Sequence, residues 1–222
     1  MFWWRRRIGS LKAAAPSVSF NELKKRVKTV VIDDHQDSFP TEALKRDGYT
    51  VDWWPKLDAH LLHRLEAGDY DIIILDIVGI TDGDLSDTGD GRGVLRRIKQ
   101  VNPNQIVVAF SGQSYDFSSQ PFWKSADDTL RKPVSLITCK ELLDRLMKLN
   151  LGIAHYWATV ETLLARSDVS AAVTRRLERK VVKAANRRRS LSLEDVKQVV
   201  GAIDTIGTVA AFVAKIAGLW MS

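Results

Sequence analysis

The amino-acid sequence predicts an α/β fold with a five-stranded parallel, doubly wound sheet, followed by an all-α region. Three observations lead to this prediction. Short apolar runs rich in β-branched residues recur between residues 27 and 131, and each is followed by a stretch with helical periodicity. Strands that alternate with helices form a parallel sheet through right-handed crossovers, with both faces covered. After Asn150 the alternation ends and only helical patterns remain.

The predicted strands lie near residues 28–33, 49–53, 71–76, 105–110 and 128–131. Helices are predicted near residues 38–47, 58–67, 92–101, 114–123 and 135–149, and three more over 153–166, 169–185 and 193–219. A linker around residues 13–19 and a polar lead-in over residues 21–26 precede the first strand. We therefore expect a basic aromatic arm with its linker over residues 1–26, an α/β domain over 27–150 and a helical output or interaction region over 151–222.

Composition and cysteine usage favour a globular protein of the cytoplasm. The chain has 222 residues, of which 45% are hydrophobic and 27% charged, enough for one good core and a smaller second unit. The single cysteine, Cys139, cannot form an internal disulfide, so nothing argues for secretion. The four histidines show no metal-site spacing with cysteines or acids.

The net charge of +6 is unevenly distributed. Residues 1–26 carry seven basic and one acidic side chain, residues 27–150 fifteen and twenty, and residues 151–222 eleven and six. An acidic centre is thus flanked by two basic regions. These regions either meet an anionic surface or fold back on the acidic domain.

Polar side chains follow four of the predicted strands. Asp33 ends the first strand and Asp34 follows it, Asp76 ends the third, and Ser111 and Lys132 follow the fourth and fifth. Ligands bind at the carboxyl ends of parallel strands, so these side chains are expected in one pocket. If a phosphoryl group is transferred to Asp76, the carboxylates suit Mg²⁺, while lysine and serine suit the phosphoryl oxygens. The alternative is that the aspartates only cap the following turns and helices.

With these residues in this order, residues 27 to 149 resemble the receiver domain of response regulators in two-component signalling. The residues that carry the resemblance are the acidic pair Asp33/Asp34, Asp76 in Ile-Leu-Asp-Ile, Ser111 in Phe-Ser-Gly and Lys132 in Lys-Pro. The resemblance implies a flavodoxin-like sheet of strand order 2-1-3-4-5. It also implies a phosphoacceptor Asp76 assisted by Ser111 and Lys132, with Mg²⁺ held by Asp33, Asp34, Asp76 and the backbone carbonyl of Val78. The donor would be a histidine kinase or phosphotransfer protein. Such a protein is a switch and not an enzyme, apart from Mg²⁺-dependent self-phosphorylation and dephosphorylation.

The sequence departs from the receiver pattern in two places. The loop after Asp76 is longer than usual and rich in aspartate, and Asp90-Gly91 stands as a delayed form of the usual Asp-Gly pair. We interpret this loop as a solvated flexible lid. Thr129 occupies the position where a tyrosine or phenylalanine commonly reports phosphorylation. Transmission could instead use an aromatic among Phe117, Phe122 and Trp123, or the phosphoryl group could be passed on in a relay.

The basic regions leave several partners open. Trp3 and Trp4 precede Arg5, Arg6 and Arg7, which suits either a peripheral membrane interface or packing on the protein's own surface or a partner. The middle tail helix is basic along one face, which could meet nucleic acid, anionic lipid or the acidic domain, or be a solvated face. The uncharged stretch of the last helix is too short to span a bilayer. It is expected to dock on other helices or on a second subunit, as in a homodimer.

Overall fold

The computed structural model describes residues 9–14, 18–81, 85, 90–112 and 123–220, with the backbone alone for Trp123. The chain divides into two compact units, an α/β unit of Phe20–Leu149 and a helical unit of Met1–Ser19 and Asn150–Ser222. This division assigns residues 20–26 to the α/β unit and residues 9–14 to the helical unit, whereas the sequence places both in one N-terminal arm. The two N-terminal stretches therefore belong to different units.

The α/β unit contains a five-stranded sheet in which every neighbouring pair of strands is parallel. The strands are β1 (Lys28–Ile32), β2 (Thr50–Trp54), β3 (Ile72–Asp76), β4 (Ile106–Ser111) and β5 (Asp128–Arg131). Their order is β2-β1-β3-β4-β5. Every residue of β3 and β4 is buried, because a central parallel strand is covered on both faces. The predicted fold class and strand order are confirmed.

Five α-helices accompany the sheet within the described residues: α1 (Phe20–Arg26), α2 (Thr41–Arg46), α3 (Ala59–Glu66), α4 (Gly91–Val101) and α5 (Leu136–Asn150). Asp58 begins α3 by accepting a hydrogen bond from the Leu61 amide at 2.7 Å, and Asp90 does the same for α4 through the Arg92 amide at 3.0 Å. The helix predicted over 114–123 falls almost wholly outside the described residues, and Trp123–Ser125 forms a short 3₁₀ helix.

Helix α1 replaces the polar lead-in that the sequence predicts. Its Leu23 is buried, and the Lys24 ammonium lies 5.0 Å from the centre of the Phe20 ring and 4.4 Å from that of Tyr49. The Lys25 carbonyl accepts a hydrogen bond of 2.8 Å from the hydroxyl of Thr50, at the start of β2. These contacts with residues far along the chain make a polar segment helical.

An apolar core fills the space between the sheet and helices α3 and α4. Leu62, Leu65, Val94, Leu95 and Ile98 pack there against side chains of β1, β3 and β4. The loop after β3 joins the same core through Ile80 and Leu85, and the Ile80 carbonyl accepts a hydrogen bond of 2.7 Å from the Leu57 amide. Residues 82–84 and 86–89, which hold most of the loop predicted as a flexible lid, lie outside the described residues.

The helical unit contains α6 (Ile153–Arg166), α7 (Ala171–Asn186), α8 (Leu193–Val200) and α9 (Ile206–Trp220), with a short 3₁₀ helix over Leu11–Ala13. The prediction of one helix over 193–219 is wrong. Gly201 has a φ of +92°, which ends α8, and α9 begins five residues later. Within residues 150–220, which the structure describes, the tail therefore has four α-helices where three were expected.

Helices α6 and α9 form the apolar centre of the helical unit. Trp157 and Ile216 are fully buried, and the rings of Tyr156 and Phe212 lie 6.0 Å apart. The expectation that the last helix docks on other helices is thus met within the unit, by α6. Within the described residues, no helix combines the length and apolar character that crossing a bilayer requires.

Candidate functional site

The polar residues singled out in the sequence lie at the carboxyl edge of the sheet. Asp33 directly follows β1, Asp76 and Ser111 end β3 and β4, and Lys132 directly follows β5. Asp76 is in register with Phe110, and Ser111 with Arg131. Because all strands run in the same direction, their ends bring these side chains to one place.

The ammonium of Lys132 joins two carboxylates from different strands. Its Nζ lies 2.7 Å from Oδ2 of Asp33 and 2.7 Å from Oδ2 of Asp76. Burial alone would lower the pKa of Lys132, but hydrogen bonds to both carboxylates outweigh it and raise the pKa. Lys132 is therefore a permanent positive charge at neutral pH, fixed between two negative ones.

Asp33 is fully buried and is held by its own loop as well as by Lys132. Its Oδ1 accepts a hydrogen bond of 2.9 Å from the backbone amide of His35, and its Oδ2 accepts one from the Ser38 hydroxyl. A buried carboxylate requires such partners because its desolvation is otherwise costly. The orientation of the Asp33 carboxylate is therefore fixed by a partner on each oxygen.

Asp34 lies at the open side of the site. Its Oδ1 is 2.5 Å from Nδ1 of His35, and its Oδ2 would be 3.3 Å from a β-carbon built on Gly79. Its slight burial would raise the pKa of Asp34, but the hydrogen bond and charge of His35 and the charge of Lys132 outweigh that effect and lower the pKa. Asp34 is thus an ionised, accessible carboxylate beside the loop after β3.

Asp76, the last residue of β3, is also buried, with 6% of its surface exposed. Its Oδ1 accepts a hydrogen bond of 2.6 Å from the amide of Ile77, and its Oδ2 contacts Lys132. Val78, whose carbonyl is the remaining predicted metal ligand, follows two residues later with a half-exposed side chain.

Ser111 stands next to Lys132 across the β4–β5 pair. Ser111 is 2% exposed, and its backbone carbonyl accepts a hydrogen bond of 2.9 Å from the Lys132 amide. The ring of Phe110 lies below the same lysine, with 4.9 Å between Nζ and the ring centre, and meets Phe39 edge to face at 5.6 Å. The lysine is thus supported by an aromatic pair as well as by the carboxylates.

The residues present fit a divalent ion of the Mg²⁺ type. Ligand atoms of Asp33, Asp34 and His35 all lie within 4.8 Å of one another, and the carboxylates of Asp33 and Asp76 reach the same ammonium. Carboxylate oxygens are the donors that Mg²⁺ prefers.

Sequence reasoning missed His35 and Ser38. His35 has no metal-site spacing with another residue in the sequence, and it acts instead on its neighbour Asp34 and, through its backbone amide, on Asp33. Ser38 reaches Asp33 because the 3₁₀ helix Gln36–Ser38 turns the chain back toward the strand end. A hydroxyl five residues after an acidic pair is a weak signal in a sequence.

Thr129 lies in β5, in register with Ala109, and its side chain is half-buried. Phe117 and Phe122, the aromatics considered as substitutes for an aromatic at this position, lie outside the described residues, as does the side chain of Trp123. The route of signal transmission therefore stays a prediction.

No protein-family model matches this sequence, and no curated protein matches it. Solved structures match over about half of the chain. One is a two-component response regulator from Clostridium difficile, with 24% identity over 55% of this chain and 97% of that chain and a TM-score of 0.45. Another is the receiver domain of NtrX from Brucella abortus, with 21% identity over 55% and 99% of the two chains and a TM-score of 0.46. A third is the response regulator protein TrrA from Thermotoga maritima in complex with Mg²⁺-BeF, with 23% identity over 54% and 98% and a TM-score of 0.44.

These structures are response regulators or receiver domains. The parallel sheet of order β2-β1-β3-β4-β5 is the fold that the resemblance to receiver domains predicts. The matches extend over roughly the length of the α/β unit.

Proposed function

We propose that the α/β unit is a response-regulator receiver that accepts a phosphoryl group on Asp76. The observation that carries the proposal is the Lys132 ammonium, which lies 2.7 Å from the carboxylates of both Asp33 and Asp76 at the carboxyl edge of the sheet. A structural cap needs one carboxylate and a backbone amide. Here two carboxylates from different strands surround one ammonium. Such a site suits a phosphoryl group that binds together with a metal cation.

The proposed reaction is transfer of a phosphoryl group from a phosphohistidine. A carboxylate oxygen of Asp76 forms a bond to phosphorus, the bond between phosphorus and the imidazole nitrogen breaks, and the electron pair leaves with the imidazole. The product is an acyl phosphate on Asp76. Lys132 places a positive charge beside the new phosphoryl oxygens, and Ser111 is the hydroxyl at the neighbouring strand end.

Asp33 and Asp34, with Asp76 and the carbonyl of Val78, are the proposed ligands of Mg²⁺. When bound, the ion supplies positive charge to the phosphoryl oxygens. His35 and Ser38 hold the two acidic residues in place through the contacts described above. This part of the proposal rests on the oxygen donors that the strand ends bring together.

The proposed donor is a histidine kinase or a phosphotransfer protein, and the helical unit is the proposed output. One similar protein, TrrA, is in complex with the histidine kinase ThkA in another structure. We propose no enzymatic activity for this chain beyond Mg²⁺-dependent self-phosphorylation and dephosphorylation.

Binding of beryllofluoride tests whether Asp76 is the phosphoacceptor. Beryllofluoride with Mg²⁺ should bind the full chain, give a bound ¹⁹F resonance and fail to bind after Asp76→Asn. Asp47→Asn is the matched control, because Asp47 is an exposed carboxylate of the same unit that pairs with Lys140 at 2.7 Å. Intact mass after incubation with acetyl phosphate should show one added phosphoryl group in the wild type and in Asp47→Asn. An equal response of the wild type and Asp76→Asn would refute the proposal.

A further inference from the structure

A cleft of about 380 Å³ is lined by residues of the helical unit. One wall is the N-terminal stretch at residues 9–10, and the other is one side of helix α7, formed by Glu178, Arg179, Val182, Lys183 and Asn186. Its volume is within the range of small-ligand sites. A polar lining with a single aliphatic residue favours a compact, polar ligand.

The N-terminal wall is fixed to the helices. Leu11 is fully buried, and Oε1 of Glu178 accepts hydrogen bonds of 3.2 Å from both the Ser10 hydroxyl and the Leu11 amide. Lys12 pairs with Glu161 of α6 at 2.9 Å. The cleft is therefore a built feature of the unit, and its one carboxylate is already engaged by the wall.

Two of the cations on α7, Arg179 and Lys183, line the cleft. Lys180 pairs with Asp195 at 3.1 Å, and Arg176 donates to the Val199 carbonyl at 3.3 Å, so these two face α8 with partners. Arg179 and Lys183 are exposed, and neither forms an ion pair within the described residues. The Nε of Arg179 donates a hydrogen bond of 3.4 Å to the Arg175 carbonyl of its own helix. Arg179 and Lys183 are four residues apart on the helix, which places them about 6 Å apart along its axis and on one side.

We propose that this cleft binds a phosphate group, from either a free phosphate compound or a lipid headgroup. An arginine can contact two phosphate oxygens at once, and a lysine one turn away adds a point charge to the same group. Asn186 places an amide in the same lining, whereas the single hydrogen of the Ser10 hydroxyl is donated to Glu178. The site is independent of the proposed phosphoacceptor, because none of its residues belongs to the α/β unit.

Phosphate titration of the full chain tests the site. Calorimetry with inorganic phosphate, in a chloride buffer of low ionic strength, should show saturable binding to the wild type. Arg179→Gln with Lys183→Gln should weaken it at least tenfold, and Lys183→Gln alone should weaken it less. Lys197→Gln is the matched control, because Lys197 is exposed on α8 and does not line the cleft. Both altered residues are exposed, so circular dichroism should show unchanged folding.

A second arm separates the two sources of phosphate. Phosphatidylcholine vesicles, with and without phosphatidic acid, are sedimented with the same variants. Binding only to the acidic vesicles, lost with the paired Gln substitutions, would assign the cleft to a lipid headgroup, whereas binding of inorganic phosphate would assign it to a free compound. Equal binding by the wild type and the paired variant, or no binding of either probe, would overturn the proposal. Asp76→Asn should leave both measurements unchanged, so failure here is separate from failure of the phosphoacceptor.

Discussion

The backbone carbonyl of Asp76 occupies the space that a side chain on residue 91 would need. A β-carbon built on Gly91 would lie 2.2 Å from that carbonyl oxygen, and the Gly91 amide donates a hydrogen bond of 2.9 Å to the next carbonyl, that of Ile77. Helix α4 therefore begins in direct contact with the end of β3. This contact gives a physical reason for the delayed Asp90-Gly91 pair. However long the loop is, the residue that begins α4 against the Asp76 carbonyl must be a glycine.

Gly91→Ala should destabilise the α/β unit and disturb the site. The added carbon meets the backbone of Asp76 and Ile77, and backbone cannot rotate away as a side chain can. We expect a loss of about 1–3 kcal/mol in the free energy of unfolding, the usual cost of overpacking. Denaturant unfolding of the full chain measures the stability, and beryllofluoride affinity measures the site.

Gly112→Ala is the control for this prediction. It adds the same atom in the same unit, but the nearest contact is the Lys132 side chain at 3.7 Å, an ordinary van der Waals distance. We expect its unfolding free energy to stay within about 0.5 kcal/mol of the wild type. If Gly91→Ala is as stable as Gly112→Ala, the close approach of α4 to β3 is not rigid.

Lys132→Met should destabilise the unit at neutral pH, because it leaves the carboxylates of Asp33 and Asp76 without their shared cation. Removal of one partner from a largely buried charge cluster is costly, and with the ammonium partly solvated we expect a loss of about 2 kcal/mol. Thermal unfolding with and without Mg²⁺ is the measurement. Mg²⁺ should stabilise the variant more than the wild type, because the two carboxylates then lack any other counter-ion.

Lys140→Met is the surface counterpart of this change. Lys140 pairs with Asp47 at 2.7 Å, but both side chains are more than a third exposed. Exposed pairs contribute at most about 1 kcal/mol, so the variant should unfold near the wild type and respond to Mg²⁺ as the wild type does. Equal losses in the two variants would show that Lys132 is no more than a surface cation.

Tyr70 makes the α/β unit sensitive to alkali. Burial, and then the hydrogen bond of 2.6 Å that its hydroxyl donates to Asp52, raises the pKa of Tyr70 to about 12, from 10.0. A folded-state pKa above the unfolded value means that the contribution to stability is complete below pH 10 and is lost as the pH rises toward 12. Tyr70→Phe should reduce the loss of stability over that interval.

The titration of tyrosinate absorbance separates this residue from the others. Tyr49 also has a raised pKa, through burial and its hydrogen bond to Asp144, so the wild type should show a late phase from both tyrosines. Each phenylalanine substitution should remove part of that phase. In denaturant, all the tyrosines should titrate together near the ordinary value, and persistence of the late phase there would refute the structural cause.

Much of the α/β unit was predictable because its signals are local. A short, β-branched apolar run such as Ile72–Leu75 favours a strand buried on both faces, which places a charged residue directly after it at the sheet edge. Asp76 and Lys132 could therefore be assigned to one edge from sequence order alone. The contact between the Lys132 ammonium and the Asp76 carboxylate could not be predicted in this way, because it depends on where β5 pairs with β4.

The features that sequence reasoning missed depend on contacts between distant residues or on one backbone angle. Helix α1 is stabilised by Tyr49 and Thr50, which its own composition does not reveal. The break between α8 and α9 follows from the positive φ of Gly201, whereas the apolar spacing continues across it. Periodicity reports which face is buried, and it does not report whether the helix is continuous.

The start of α8 depends on a reciprocal pair of side chains, Ser192 and Asp195. The Ser192 hydroxyl accepts a hydrogen bond of 3.1 Å from the Asp195 amide, and the Asp195 carboxylate accepts one of 3.1 Å from the Ser192 amide. Ser192→Ala should destabilise the helical unit by about 1 kcal/mol, the usual cost of a lost N-cap. Hydrogen exchange of the Asp195 amide is the sharpest measurement, because that amide loses its partner directly.

Ser190→Ala is the matched control, since Ser190 is exposed two residues earlier and caps no helix.

The pH dependence of the same exchange supplies a second test. Hydrogen bonds from Ser192, and the side chain of Lys180, lower the pKa of Asp195 below 3.8. Because this pKa is depressed in the folded state, the contribution of Asp195 is complete well above pH 3.8 and is lost as the pH falls through the folded-state value. The difference in exchange between Ser192→Ala and the wild type should therefore be large at neutral pH and shrink in acid. A difference that stays constant down to the lowest pH at which the chain remains folded would mean that the serine acts without the carboxylate.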